Sequence, residues 1–119
     1  MVMVLLAGCG QDGPPLSPRG QARQLVGSDA ERGRQLIAKH GCVACHTIPG
    51  VSGPSVQVGP PLEKMALRGY IAGVLPNTPE NLVRWLLDPP AIDSRTAMPN
   101  MKMTGADAKD IAAYLLTLR

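Results

Sequence analysis

Aromatic side chains are scarce in this chain of 119 residues, which has no Phe, two Tyr and one Trp. Such side chains usually contribute the largest buried areas in a small domain, and the length indicates a single domain. The chain therefore has few large side chains with which to fill a core. This shortage predicts that a large group other than a side chain occupies part of the interior.

Long apolar runs and concentrated charge are also missing. There is no uninterrupted run of roughly 18 apolar residues, which a membrane-spanning helix would need. The net charge is +3 at pH 7, and the Lys and Arg residues are spread along the chain. Without a basic patch or aromatic residues among the basic ones, binding to nucleic acid has no support.

Caps and apolar spacing predict an all-α domain over residues 28–119, with about four helices and long loops. Ser28 and Glu31 form a capping box for the first helix, which Gly41 ends. The other three helices are predicted from the segments LEKMALR, NTPENLVRWLLD and TGADAKDIAAYLLTLR, with Thr78 and Thr104 as caps and Pro89 and Pro90 as a stop.

Gly33 lies in the middle of the first predicted helix, where glycine costs about 1 kcal/mol relative to Ala. This cost predicts a close crossing with another helix. Near the start of the final helix, Asp107 and Asp110 are expected to be solvated partners of the helix dipole. His40, near the end of the first helix, is expected to be a surface side chain.

The segment CVACH at residues 42–46 carries the chemistry. On one helical turn, Cys42, Cys45 and His46 occupy positions i, i+3 and i+4, so they project from one face. Two thiols on that face can add to the two vinyl groups of a haem, and the adjacent imidazole can reach its iron. The C-x-x-C-H run is the sequence signature of c-type haem attachment.

Two other readings of this segment compete with haem. A zinc site needs four ligands, and besides these three the chain offers only His40 and the remote Cys9. A thioredoxin-like redox pair needs a βαβ setting, whereas the surrounding pattern is helical. One covalently attached haem c explains the motif, the shortage of aromatics and the long loop 47–61 together.

The other axial ligand of the iron is expected to be a methionine, the usual partner of histidine in electron-transfer haems. The segment RTAMPNMKMTG offers three. Met98 precedes Pro99, which favours extended backbone and a loop that can present the sulfur inward. Met101 and Met103 lie nearer the final helix, where Met often fills core space. Met98 is the predicted ligand, with Met101 as the alternative.

These segments resemble the monohaem class I c-type cytochromes. The resemblance covers about residues 28–119, and it rests on GCVACHTI at 41–48, GPPL at 59–62, MPN at 98–100 and DIAAYLLTL at 110–118. It implies the cytochrome c fold wrapped around one haem. It also implies that the first and last helices cross near Gly33 and Tyr114.

The resemblance further implies a role for each site residue. Cys42 and Cys45 would form thioethers to the haem, while His46 and Met98 would bind the iron. The carbonyl of Pro60 would accept a hydrogen bond from Nδ1 of His46, which orients the imidazole. Residues 66–90 are similar to membrane-associated bacterial members, such as the cytochrome domains attached to haem–copper oxidases. By that analogy, the haem edge or propionates contact Arg68, Tyr70 and Trp85.

An iron with both axial positions filled carries single electrons and leaves no site for a substrate. The expected function is therefore that of an electron carrier and not of an enzyme, with no small-molecule substrate. It would pass electrons from a quinol-oxidising complex or dehydrogenase to a terminal oxidase or reductase, within a respiratory or photosynthetic chain. A fixed haem subunit of a larger membrane oxidoreductase is the alternative, and a haem sensor is a further one.

The N-terminal segment LAGC at 6–9 resembles a bacterial lipobox, in which the cysteine is lipidated. The resemblance implies that residues 1–8 are the remnant of a truncated lipoprotein signal and that Cys9 carries a lipid anchor. Residues 10–27 are rich in Gly and Pro, so residues 9–27 are expected to be a lipidated Cys with a flexible tether. The domain at 28–119 would then be exported and held on the periplasmic side of a bacterial membrane.

Overall fold

The computed structural model describes residues 25–54 and 56–119, so the predictions for Cys9 and for most of the tether lie outside the described residues. Four α-helices occur in this part of the chain. They are α1 (Ala30–Lys39), α2 (Pro79–Leu87), α3 (Pro89–Ile92) and α4 (Gly105–Leu115), with 3-10 turns at Cys42–Ala44 and Met65–Leu67 and two short strands, β1 (Tyr70–Ile71) and β2 (Leu75–Pro76). The all-α prediction is confirmed. None of the helices described is long and apolar enough to cross a membrane.

Side-chain caps begin the three longer helices. The Oγ1 atoms of Thr78 and Thr104 each accept a hydrogen bond at 3.1 Å from the backbone N–H three residues on, as the sequence predicts. The cap of α1 is Asp29 and not Ser28, since its carboxylate accepts from the N–H of Arg32 at 2.9 Å. The predicted Ser28 cap is therefore wrong by one residue. The N–H of Ser28 instead donates to Leu25 in the preceding turn.

One other predicted helix is also wrong. The segment LEKMALR forms only the 3-10 turn, because Lys64 adopts a left-handed conformation with φ of 52° and interrupts any helix. The chain then makes an antiparallel hairpin in which β1 pairs with β2. The predicted stop of α2 is confirmed, because α2 ends at Leu87 with Asp88 as its cap. Pro89 then begins the separate helix α3, since the first residue of a helix needs no N–H.

The predicted crossing at Gly33 is confirmed. Helix α1 packs most extensively on α4, and α4 also packs on α2. A Cβ built on Gly33 would overlap the carbonyl group of Asp110 and lie 2.9 Å from the backbone nitrogen of Ile111. Only a residue without a side chain allows the two backbones to approach so closely. The nearest atoms at this crossing belong to Asp110 and Ile111 and not to Tyr114.

The core lies mainly between these three helices and is largely aliphatic. Its buried members include Leu36 and Ile37 of α1, and it continues through Leu82, Trp85, Leu86, Ile111, Ala112 and Leu115. Burial of each large side chain stabilises the fold by about 1.5–3 kcal/mol. Trp85, which is 6% exposed, is the one aromatic residue in the core as described.

Polar side chains connect α1 to α4 at the edge of that crossing. Asp110, which is 8% exposed, accepts hydrogen bonds from the N–H of Asp29 at 2.8 Å and from Arg32. Asp107 accepts from Arg32 at 2.8 Å and lies 3.1 Å from Nε2 of His40. The expectations of solvated aspartates and a surface His40 are therefore wrong, because the helix crossing brings these side chains together.

Candidate functional site

The segment 42–46 forms a single turn directly after α1. Gly41 has a φ of 73°, a left-handed conformation that ends the helix and redirects the chain. The N–H groups of Cys45 and His46 both donate to the carbonyl of Cys42, at 3.2 and 2.9 Å. Cys42, Cys45 and His46 therefore share one turn, as their spacing predicts. Both cysteines are half-buried and neither forms a disulfide.

The environment of Cys42 does not suit a reactive nucleophile. Burial raises the pKa of its thiol above the ordinary value. Nucleophilic cysteines have a lowered pKa instead, maintained by neighbouring positive charge or a helix N-terminus. The surroundings therefore favour the neutral thiol of Cys42, which suits a structural attachment more than catalysis.

His46 is oriented by the backbone that faces it. Its Nδ1 lies 2.7 Å from the carbonyl oxygen of Pro60. Because a carbonyl can only accept, Nδ1 carries the proton and the lone pair is at Nε2. This is the tautomer that a histidine needs to bind a metal through Nε2.

Gly59 contacts the ring of His46 and was not singled out from the sequence. A Cβ at this position would overlap Cε1 and lie 2.7 Å from Nδ1 and 3.0 Å from Nε2. The N–H of Gly59 also donates to the carbonyl of Cys45 at 2.7 Å. The only signal in the sequence was the glycine directly before the two prolines in GPPL.

The loop 47–61 is tied to the rest of the domain along its length. The N–H of Leu62 donates to the carbonyl of Thr47 at 2.9 Å, which closes the loop. The hydroxyl of Tyr114 donates to the carbonyl of Pro49 at 2.6 Å, so α4 holds the loop as well. A Cβ on Gly53 would lie 2.6 Å from the Cβ of Val43 in the cysteine turn. The long loop is thus fixed around the cysteine turn.

Met98 and Met101 both lie in the loop before α4, half-buried and packed against the core. Side-chain turns shape this loop, because Thr96 Oγ1 accepts from the N–H of Met98 at 3.2 Å and Asn100 Oδ1 accepts from the N–H of Lys102 at 2.8 Å. The third methionine, Met103, is 8% exposed and belongs to the core itself.

The three residues expected at the haem edge lie in different surroundings. Trp85 is in the core, and Tyr70 in β1 is 65% exposed. The guanidinium of Arg68 donates to the carbonyl of Pro61 and, at 2.8 Å, to the carbonyl of Glu63. Within the part of the chain that the structure describes, the guanidinium of Arg68 thus bonds backbone carbonyls five and seven residues before it.

The side chains at this site fit a covalently attached haem. Two thiols that are free of a disulfide lie on one turn, and the adjacent imidazole has Nε2 available for a metal. Gly59 leaves room for the flat ring of His46, and a half-buried methionine is available on a loop. Thioether and imidazole attachment need this donor set, and methionine suits the opposite face of an iron porphyrin.

Together the helical fold and the C-x-x-C-H turn define a c-type haem protein. Comparison with known proteins agrees, since the family model described as Cytochrome c matches residues 30–119. The chain belongs to the cytochrome c family. It therefore binds one haem c covalently, as members of this family do. The family as a whole serves in electron transport.

Two known proteins are similar to this chain. The first, a cytochrome c oxidase subunit 2 from Alkalihalophilus pseudofirmus, is 34% identical over 91 residues, which are 76% of this chain and 26% of that protein. The chain thus spans about a quarter of the length of this relative. The second is a crystal structure of cytochrome c2 from Rhodobacter sphaeroides, with a TM-score of 0.49, 21% identity, and coverage of 76% of this chain and 96% of that one.

Proposed function

We propose that this chain is a single-electron carrier associated with a bacterial membrane, with His46 and Met98 as the two axial ligands of its haem iron. Cys42 and Cys45 form the thioether bonds in this proposal. The observation that carries it is the 2.7 Å contact between Nδ1 of His46 and the Pro60 carbonyl, on the same turn as both cysteines. That contact prepares Nε2 to bind iron.

The chain's own residues act by orientation and restraint. When bound, the haem supplies reversible one-electron chemistry at its iron. In both redox states, Nδ1–H of His46 donates to the carbonyl of Pro60, so the imidazole keeps its orientation. The backbone bonds of Gly59 and Leu62 hold the facing loop in place. Because little has to move, electron transfer costs little reorganisation.

The proposed partners are membrane redox complexes. The similarity to a protein named cytochrome c oxidase subunit 2 supports a terminal oxidase as one of them. The same similarity favours a second candidate function, in which the domain is a fixed haem subunit of a larger oxidoreductase. Electrons would come from a quinol-oxidising complex or a dehydrogenase in either case.

A lipid anchor at Cys9 forms part of the proposal. The LAGC motif at 6–9 supports it, and the two or three acyl chains of a lipoprotein suffice for stable attachment to a membrane. Residues 10–27 would then connect the anchor to the haem domain on the periplasmic side. Mass spectrometry of the protein from its native membrane tests this, because an unmodified Cys9 thiol contradicts the anchor.

Spectra of two matched variants test the iron ligands. Met98→Ala should abolish the far-red band between methionine sulfur and ferric iron, whereas Met101→Ala should retain it. If only the Met101 variant loses the band, Met101 is the ligand. Carbon monoxide should leave the spectrum of the reduced wild type unchanged, because both axial positions are filled. A spectral change on addition would contradict the carrier and support a sensor.

Purification distinguishes the carrier from the fixed subunit. After extraction in mild detergent, a mobile carrier should separate from large complexes at high salt, since charge attraction between exposed surfaces is screened. At 1 M salt the Debye length is roughly 3 Å, so charge attraction between exposed surfaces is almost fully screened. A domain that still remains with an oxidase complex under these conditions would be a fixed subunit of it.

A further inference from the structure

The segment that presents the Pro60 carbonyl to His46 has few backbone donors of its own. Pro60 and Pro61 have no N–H, so neither residue can donate a hydrogen bond to a neighbouring strand or loop. The N–H of Leu62 donates to Thr47 at 2.9 Å. On the other side of the prolines, the N–H of Gly59 donates to the carbonyl of Cys45 at 2.7 Å. Between these two anchors, only carbonyl groups are left to hold the segment, and a carbonyl needs a donor.

Arg68 is that donor. One nitrogen of its guanidinium, Nη2, donates to the carbonyls of both Pro61 and Glu63, the latter at 2.8 Å. The carbonyl of Pro61 belongs to the peptide group directly after the one that faces His46. The two proline rings already fix the φ angles of this segment, so rotation remains possible mainly about ψ. A hydrogen bond that fixes the direction of the Pro61 carbonyl restricts that rotation.

Arg68 is itself held at its backbone. The side chain of Asn77, which is 1% exposed, donates to the carbonyl of Arg68 at 2.9 Å and to that of Met65 at 2.8 Å. The backbone N–H of Asn77 donates to Gly69 at 3.0 Å. The guanidinium therefore reaches the proline segment from a base that is anchored in the interior.

We propose that Arg68 is a positioning residue for His46, which acts by holding the carbonyls of Pro61 and Glu63 so that the Pro60 carbonyl meets Nδ1. This inference rests on the proposed function, since His46 matters to electron transfer only as an iron ligand. It differs from a direct contact between Arg68 and the haem propionates. The hydrogen bond at Nδ1 makes the imidazole a better electron donor to the iron.

The two roles make opposite predictions for Arg68→Met. Loss of a positive charge beside the haem would stabilise the ferric state and lower the reduction potential, with no effect at Nδ1. Loss of the positioning contact weakens the Nδ1 hydrogen bond, so the imidazole donates less and the potential rises. The Nδ1 proton should then exchange with solvent roughly five- to tenfold faster, as expected for one weakened hydrogen bond.

The experiment measures exchange of the His46 Nδ1 proton by NMR in the reduced, haem-loaded protein, together with the potential. Arg84→Met is the matched control, because Arg84 is an exposed arginine whose guanidinium bonds Asn81 at 3.1 Å. It should leave exchange as in wild type. Arg68→Lys keeps the charge and serves if the Met variant fails to fold. Because an ammonium group does not reproduce the geometry of the guanidinium, its exchange should also be faster than that of wild type.

The outcomes separate the two proposals. Wild-type exchange in both Arg68 variants would overturn the positioning role, as would a lowered potential with unchanged exchange. If the ring protons of His46 in the wild type show no shift from the haem, His46 is not an iron ligand. In that case the proposed function fails first, whatever the Arg68 variants do.

Discussion

The substitution Gly33→Ala should destabilise the domain although alanine is the better helix former. The added Cβ would overlap the Asp110 carbonyl group and lie 2.9 Å from the nitrogen of Ile111. Non-bonded heavy atoms prefer separations of about 3.5–4.0 Å. The clashing atoms are backbone and cannot rotate away, so α1 and α4 must move apart by about 1 Å.

The magnitude follows from what lies between the two helices. Ile37, Ala108 and Ala112 are each 0% exposed, so they have dense packing to lose. A gap of about 0.5–1 Å removes a quarter to a half of the dispersion attraction between facing atoms. We expect a cost of about 3 kcal/mol, the upper part of the range for overpacking. Helix propensity offsets about 1 kcal/mol, which leaves a net loss of about 2 kcal/mol.

Thermal and denaturant unfolding of the haem-loaded protein measure this loss, with far-ultraviolet circular dichroism and haem absorbance as probes. A net loss of about 2 kcal/mol corresponds to a melting temperature lower by about 10 °C. Gly105→Ala is the control, because Gly105 is also helical but has no atom within 4 Å of an added Cβ. It should be neutral or slightly stabilising. A Gly33 variant as stable as the Gly105 variant would refute the close crossing.

Three further perturbations have defined outcomes. A neighbouring imidazole and guanidinium lower the pKa of Asp107, so its stabilisation is full above about pH 4 and is lost as pH falls through the lower folded pKa. Asp107→Asn should therefore flatten the acid side of a plot of unfolding free energy against pH, and an unchanged slope would contradict this. Tyr114→Phe removes a 2.6 Å hydrogen bond to the loop and should cost about 0.5–1.5 kcal/mol, whereas Tyr70→Phe, at a side chain that is 65% exposed, should cost nothing measurable. Gly59→Ala should displace the adjacent imidazole and accelerate exchange of its Nδ1 proton, while Gly69→Ala, which has open space, should leave exchange unchanged.

Features that depend on residues within a few positions of each other could be predicted from the sequence. Thr78 and Thr104 cap their helices by accepting from an N–H three residues away, so both partners lie within one short stretch of sequence. Cys42 and His46 share a turn for the same reason, because spacing alone determines that geometry. Even here the start of α1 was misplaced by one residue, since Asp29 and Ser28 both have side chains that can cap.

Features that depend on distant pairs could not be predicted. The carboxylate of Asp110 is buried only because the helix crossing brings Asp29 and Arg32 to it, 81 and 78 residues away in sequence. A helical pattern shows that Asp110 lies on the final helix, but it does not show what faces it. The same holds for His40, which meets Asp107 across 67 residues.

The sequence by itself determined the local arrangement of the candidate site. Two thiols and an imidazole share one turn because of their short spacing, and Met98 lies on a loop because Pro99 follows it. Tertiary structure alone decided how the site is supported. Position 59 needs a residue without a side chain because the ring of His46 lies against it. Arg68 turns toward two carbonyls of the proline segment because Asn77 holds its backbone from the interior. Such contacts depend on where the folded chain places groups that no local rule connects.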